Sequence, residues 1–193
     1  MKKIPCIFLI DHEAHRTTDV PNPECQWVFD GEGIALRKWD GTACMIKDGE
    51  LYKRRCVPST KVAPPGFKPC SIDGRTNKMF GWVPVDYDDD KWHWLGFDNL
   101  CSRIYETGKA PADGTYELCG PKINGNPEKL TEHDLIQHSY AQLMACPRPP
   151  FYGPMTHESL GLWLADKDIE GLVFWHPAGH KAKIRKKDFG LER

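Results

Sequence analysis

Short stretches in which apolar and polar residues alternate dominate the chain, and they predict more strands than helices. Gly33–Leu36 leads into Lys38. Ala43–Ile46 and Leu51–Lys53 flank Lys47-Asp48-Gly49-Glu50, a pattern that predicts a hairpin closed by Asp48-Gly49. Thr115–Leu118 is short and rich in strand formers. Leu172–Trp175 is an apolar run bounded by Gly171 and Pro177, and Lys181–Ile184 alternates with a period of two. Met155–Leu164 has helical spacing, with Thr156 as its N-cap. Leu130–Met144 carries two signals: Thr131 with Asp134 resembles a capping box, while Leu135-Ile136 fits a strand. Val57–Phe80, with Pro58, Pro64, Pro65 and Pro69, is expected to be an extended, turn-rich connection.

Composition narrows the class. At 193 residues, with 40% hydrophobic and 27% charged residues, the chain fits one soluble domain spanning 1–193. No apolar run reaches the roughly 18–20 residues that span a bilayer, so no membrane partner is expected. The apolar start, Met1–Ile10, is interrupted by Pro5 and followed by Asp11-His12-Glu13 without a small-residue cleavage site, and it is read as a first strand. Eight cysteines stand singly, with no CxxC pair, as expected of thiols in a reducing, cytoplasmic setting. The net charge of −1 is unevenly spread, with a basic segment at Ala178–Arg193 and an acidic run at Asp86–Asp90, so any nucleic-acid contact must be a local patch. The acidic run itself is expected to be an exposed loop.

Four separated pieces carry candidate chemistry: Lys38-Trp39-Asp40-Gly41, the strand and turn Tyr116–Pro127, Glu170-Gly171-Leu172-Val173, and Lys181-Ala182-Lys183. A lysine nucleophile must lose a proton whose ordinary pKa is about 10.4, and neighbouring cations favour that loss. On a strand, Lys181 and Lys183 would point to one face. Two ammonium groups aimed at one spot suit a polyanion such as a triphosphate, whose developing charge they would stabilise.

In this order the four pieces resemble motifs I, III, IV and V of the covalent nucleotidyltransferases, the superfamily of ATP-dependent ligases and capping enzymes. Arg54, in Lys53-Arg54-Arg55, stands where that family places the arginine of its motif Ia, with Arg55 as the alternative. Glu117–Pro127, Pro64–Phe67, Gly81–Val85 and Trp92-His93 resemble more narrowly the small RNA ligases that join 5′-phosphate and 3′-hydroxyl ends. The likeness runs from about Gly33 to Leu191.

The resemblance implies an α+β fold: a nucleotidyltransferase (ATP-grasp-like ligase adenylation) domain of antiparallel sheets with flanking helices. It implies an ATP-dependent RNA ligase working with Mg²⁺ or Mn²⁺. Lys38 would carry AMP, Lys181 and Lys183 would stabilise the phosphates, and Glu170 would support the metal. Glu117 would accept from the ribose, Arg54 would contact ribose or phosphate, and Asp40 and Gly41 would shape the nucleotide site. A base platform is expected from Tyr140, Phe151, Tyr152 or Trp163, with nothing to select among them. Lys183–Lys187 is a further candidate for RNA phosphates. DNA ligases and capping enzymes share the chemistry but append an oligonucleotide-binding barrel after motif V. Only nine residues follow Ile184 here, which favours the minimal RNA ligase. A catalytically silent nucleotide- or RNA-binding module is the alternative from another class.

Overall fold

The computed structural model describes residues 3–138, 151 and 153–193. The fold is α+β, built mostly from antiparallel sheets. The described residues fall into two compact units, one comprising Lys3 and 40–138, the other 4–39, 151 and 153–193.

The first unit is a six-stranded antiparallel sheet covered by one long helix. Its strands are β4 (Thr42–Lys47), β5 (Glu50–Val57), β6 (Lys68–Ile72), β7 (Met79–Pro84), β8 (Gly114–Cys119) and β9 (Asp134–Gln137), in the order β6-β7-β5-β4-β8-β9. The β4–β5 hairpin closes as expected, with Asp48 and Gly49 at φ 54° and 79°, the left-handed pair of a type I′ turn. Alternation sends Cys44, Ile46, Leu51, Tyr116, Leu118 and Leu135 to one face, where they form a core with helix α2 (Lys91–Tyr105). The helix adds Trp94, Phe97, Leu100 and Ile104 at three- and four-residue spacing. A Cβ on Gly96 would lie 2.5 Å from Leu118 Cδ1, so this glycine sets how closely the helix seats on β8.

Two elements depart from expectation. The Val57–Phe80 connection contains β6, an edge strand that tolerates Pro69 because no further strand pairs beyond it, and its register shifts between Pro69 and Ser71. In the ambiguous stretch Leu130–Met144, Asp134–Gln137 form strand β9, while 139–150 lie outside the described residues.

The second unit holds a three-stranded sheet, β11-β10-β3, from β3 (Ile34–Lys38), β10 (Gly171–Trp175) and β11 (Lys181–Arg185). It also holds the hairpin β1 (Phe8–Asp11) and β2 (Arg16–Pro21), with short helix α1 (Gln26–Phe29) after it. The N-terminal strand reading, made for Met1–Ile10, holds for Phe8–Ile10 in β1; just ahead of it Ile7 N donates to Lys183 O and Lys183 N to Pro5 O around an isolated parallel bridge. Helix α3 (His157–Ala165) begins at Thr156, whose hydroxyl accepts from Ser159 N at 3.3 Å. It buries Leu160 and Leu164 against Leu172, Phe174, Ala182 and Ile184. None of the described helices is long and apolar enough to cross a membrane.

Candidate functional site

Strand pairing in the second unit determines which side chains share a surface. Lys38, Gly171 and Arg185 form one row. Leu36, Val173 and Lys183 form the row two positions on, and Ile34, Trp175 and Lys181 the row two beyond that. Opposed residues point the same way and alternate residues point apart. Lys38, Lys181, Lys183 and Arg185 therefore lie on one face, while Ala35, Leu172, Phe174, Ala182 and Ile184 supply the core on the other.

Glu170 immediately precedes β10 and forms an ion pair with the Lys38 ammonium, which also donates to Trp39 O at 3.3 Å. Both side chains are largely enclosed, at 21% and 18% exposed. The Lys183 ammonium is pushed down to about 8 from its ordinary 10.5, chiefly by burial and then by the charges of Arg185 and Lys38. Burial also lowers Lys181, whose ammonium rests 3.7 Å from the centroid of the Trp175 ring. The lysine pair thus divides its surroundings: Lys183 feels Lys38, and Lys181 is seated on an indole. Arg185 is held by Asp188 through Nε–Oδ2 and Nη2–Oδ1 contacts of 3.1 and 2.7 Å.

Gly171 is required by the approach of the two strands. A Cβ there would stand 2.1 Å from Ile184 O and 2.7 Å from Arg185 Cα. The Glu-Gly pair therefore sets both the carboxylate beside Lys38 and the closeness of β10 to β11. Glu170 offers a single carboxylate, and no group of three or more His, Cys, Asp or Glu side chains converges among the described residues. Magnesium bound together with a nucleotide takes one or two carboxylates and fills its remaining positions with phosphate and water, so one donor suits that mode.

The remaining expected residues lie in the first unit, where Asp40, Gly41 and Glu117 share a network and Arg54 lies over the Phe80 ring. Gly41 N donates to Glu117 Oε1 at 3.2 Å, and a Cβ on Gly41 would sit 2.2 Å from Leu118 O. Asp40 N donates to Glu128 Oε1 at 2.9 Å. Asn124 Nδ2 donates to Asp40 Oδ1 at 3.2 Å and Gly41 O at 2.9 Å, which supplies the partner of Asp40 that spacing does not reveal. Asn124 reaches back from a left-handed position, φ 49°. The other oxygen of Glu117 meets His138 Nε2 at 3.1 Å, and His138 Nδ1 faces Thr115 Oγ1 at 3.3 Å.

Strand alternation also separates the three basic residues of β5. Lys53 turns to the helix side, where its ammonium meets both oxygens of Asp90 at 2.5 and 2.6 Å. Arg54 lies on the opposite face, the face of Glu117, while Arg55 returns to the helix side and is exposed. The acidic run ties the turn ahead of α2. Asp86 Oδ1 accepts from the N–H groups of Asp88 and Asp89, and Asp90, only 8% exposed, accepts from Asp86 N as well as from Lys53.

Sequence patterning missed His138, and it singled out neither Asn124 within Tyr116–Pro127 nor Arg185 within Lys183–Lys187. His138 carries no motif, and Arg185 reads as one more charge in a basic tail. That tail is less free than its composition suggests, because Lys186 is buried and Arg185 is paired, leaving Lys187 exposed. Of the candidate base platforms, Phe151 and Trp163 stack edge-to-face at 5.6 Å against the core of their unit. Tyr140 and Tyr152 lie outside the described residues. No protein-family model matches the chain, and no curated protein matches it.

Proposed function

We propose that the chain is a covalent nucleotidyltransferase of the RNA ligase kind, joining 5′-phosphate and 3′-hydroxyl RNA ends at the expense of ATP. The observation that carries this reading is the shared face of β3, β10 and β11. There an enclosed lysine meets a carboxylate and lies near a second lysine whose proton is already loosened by burial and neighbouring charge.

Lys38 Nζ attacks the α-phosphorus of ATP. The ammonium first gives one proton to solvent to become the nucleophilic amine; the new P–N bond then forms as the bond to pyrophosphate breaks, and a second proton passes to solvent. Attack requires Lys38 to leave its ion pair with Glu170. Lys183 and Lys181 then meet the negative charge that grows on the phosphates, which relieves the repulsion between Lys183 and Lys38. Glu170 is the residue that would hold a divalent cation, which supplies charge neutralisation on the phosphates when bound. In the second step a 5′-phosphate oxygen takes AMP from Lys38, breaking the P–N bond and forming a pyrophosphate linkage. In the third, the 3′-hydroxyl attacks that 5′ phosphorus and AMP leaves. Glu117, Arg54, Asp40 and Gly41 are assigned to nucleotide binding by resemblance, and each is testable by substitution.

The test is sealing of 5′-phosphorylated RNA, with ATP and Mg²⁺, scored against nicked DNA and against GTP. ATP-dependent RNA sealing with an adenylylated 5′ end as intermediate is the expected result. Equal sealing of nicked DNA would overturn the RNA assignment.

A further inference from the structure

Residues 50–84 hold Lys53, Arg54, Arg55, Lys61, Lys68, Arg75 and Lys78 against only Glu50 and Asp73, in a chain whose net charge is −1. The few acids here are engaged: Asp73 accepts from Lys3 Nζ at 3.0 Å, and Glu50 from the Tyr52 hydroxyl at 2.5 Å. Lys53 is locked to Asp90. Arg54, Lys68, Arg75 and Lys78 find no carboxylate partner among the described residues, and the last three are exposed.

Their placement is ordered. Lys68 and Arg54 flank Trp82 in one row across β6, β7 and β5, about 10 Å apart at two strand spacings. On the same face, Arg54 lies 5.2 Å from the Phe80 centroid, and the Lys68 ammonium 4.3 Å from that of Tyr52. The β6–β7 turn continues this surface. Asp73 Oδ1 accepts from Arg75 N, Thr76 N and the Thr76 hydroxyl, a knot that holds the turn with Arg75 exposed in it, and Asp73 N donates to Lys78 O at 2.9 Å, which puts exposed Lys78 at the base of the turn. Lys68 and Pro69 alone would be explained as protection of an edge strand. Arg75 stands in the turn and Lys78 leads into β7, which is not an edge strand, so neither has an edge to protect.

We propose that the β6–β7 hairpin and its turn grip the sugar-phosphate backbone of single-stranded RNA. Arg75 in the turn, Lys78 at its base and Lys68 farther along the hairpin contact phosphates of one strand. The proposal rests on the reading of the chain as an RNA ligase only for the identity of the strand. The charge pattern itself selects a polyanion.

The test uses the full chain and a short fluorescent 5′-phosphorylated RNA, with binding followed by anisotropy over a salt series. Replacing Arg75→Glu and Lys78→Glu together should weaken binding roughly tenfold or more at low salt. Loss of two phosphate contacts should also flatten the logarithmic salt slope by about 1.4. The milder pair Arg75→Gln and Lys78→Gln should give the same slope change, and it guards against a folding defect. Lys109→Glu, an exposed site elsewhere in the unit, should change neither. Equal competition by single-stranded DNA would support a backbone grip. Unchanged affinity and slope in both pairs, or an equal loss in Lys109→Glu, would overturn the proposal. So would preferential capture of an acidic polypeptide over RNA. Labelling of Lys38 by ATP should persist in the charge-reversed protein. If the wild type takes no label while RNA binding still responds to the substitutions, the ligase reading fails and the RNA surface stands.

Discussion

Lys183 is held in the folded protein at a cost, and replacing it with a side chain of similar length and no charge should make the protein more stable while disabling it. The ammonium prefers water. Burial and the neighbouring charges of Arg185 and Lys38 bring its pKa from 10.5 to about 8. At about 1.4 kcal/mol for each tenfold change in proton affinity, that gap corresponds to a penalty of about 3 kcal/mol at neutral pH. That value already includes the attraction of Asp188 and Glu170 for the same charge, so the net gain on Lys183→Met is expected to approach about 3 kcal/mol. The sign follows from linkage. Because the folded pKa is depressed, the unfolded chain binds more protons between pH 8 and 10.5. The penalty is therefore fully present below pH 8 and disappears as pH rises through 10.5. Urea unfolding of wild type and variant at pH 7 and pH 10.5 should show the variant ahead at pH 7 and the two converging at pH 10.5. A variant less stable than wild type at pH 7, or a stability difference that does not change with pH, would refute the reasoning. Under the proposed function, which assigns this ammonium to the phosphates, the same variant should also lose most of its labelling by ATP.

Three further outcomes follow from particular contacts. His138→Ala removes a partly buried, charge-assisted hydrogen bond to Glu117, of the kind that contributes ~1.5–3 kcal/mol. It should raise the ATP concentration for half-maximal labelling by about tenfold or more, with recovery in His138→Gln; an unaltered ATP dependence would remove His138 from a positioning role. Gly171→Ala forces a Cβ to within 2.1 Å of Ile184 O, so β10 and β11 must part. A drop in melting temperature together with loss of labelling is expected, and wild-type behaviour in both would show that the strands can separate freely. Lys53→Met leaves Asp90 buried without its cation, an uncompensated charge that should cost ~3–5 kcal/mol in denaturant titrations at neutral pH. Full stability there would mean that Lys53 does not offset Asp90.

Much of the strand framework was legible because hydrophobic alternation is local. β3, β4, β5, β8, β10 and β11 fall where the pattern placed them, Asp48-Gly49 turns as its residue types require, and Thr156 caps α3. Helix α2 was not legible. Its run of Trp, His and Phe is strand-compatible, Gly96 interrupts it, and Asp90 spends its carboxylate on Lys53 and Asp86 N instead of capping it. Only packing against β8 and β9 settles that segment as a helix. β6 was hidden by the prolines ahead of it and by its own Pro69, which an edge strand accepts. At the candidate site, motif order led to Lys38, Glu170, Lys181 and Lys183, and alternation predicted the shared face of the lysine pair. The different surroundings of the two lysines, the clash limits at Gly41 and Gly171, and the His138–Glu117 contact depend on neighbours far along the chain, which no local pattern encodes.

The central claim is that Lys38 becomes covalently bonded to a nucleotide. It is tested most directly by incubating the chain with Mg²⁺ and ATP labelled at the α-phosphate, followed by denaturation, proteolysis and mass spectrometry of the label-bearing peptide. The expected result is a phosphoramidate-linked AMP on the peptide containing Lys38, absent in Lys38→Ala and strongly reduced in Glu170→Ala. A label located at another residue, a label that persists in Lys38→Ala, or no covalent label with either Mg²⁺ or Mn²⁺ would contradict it.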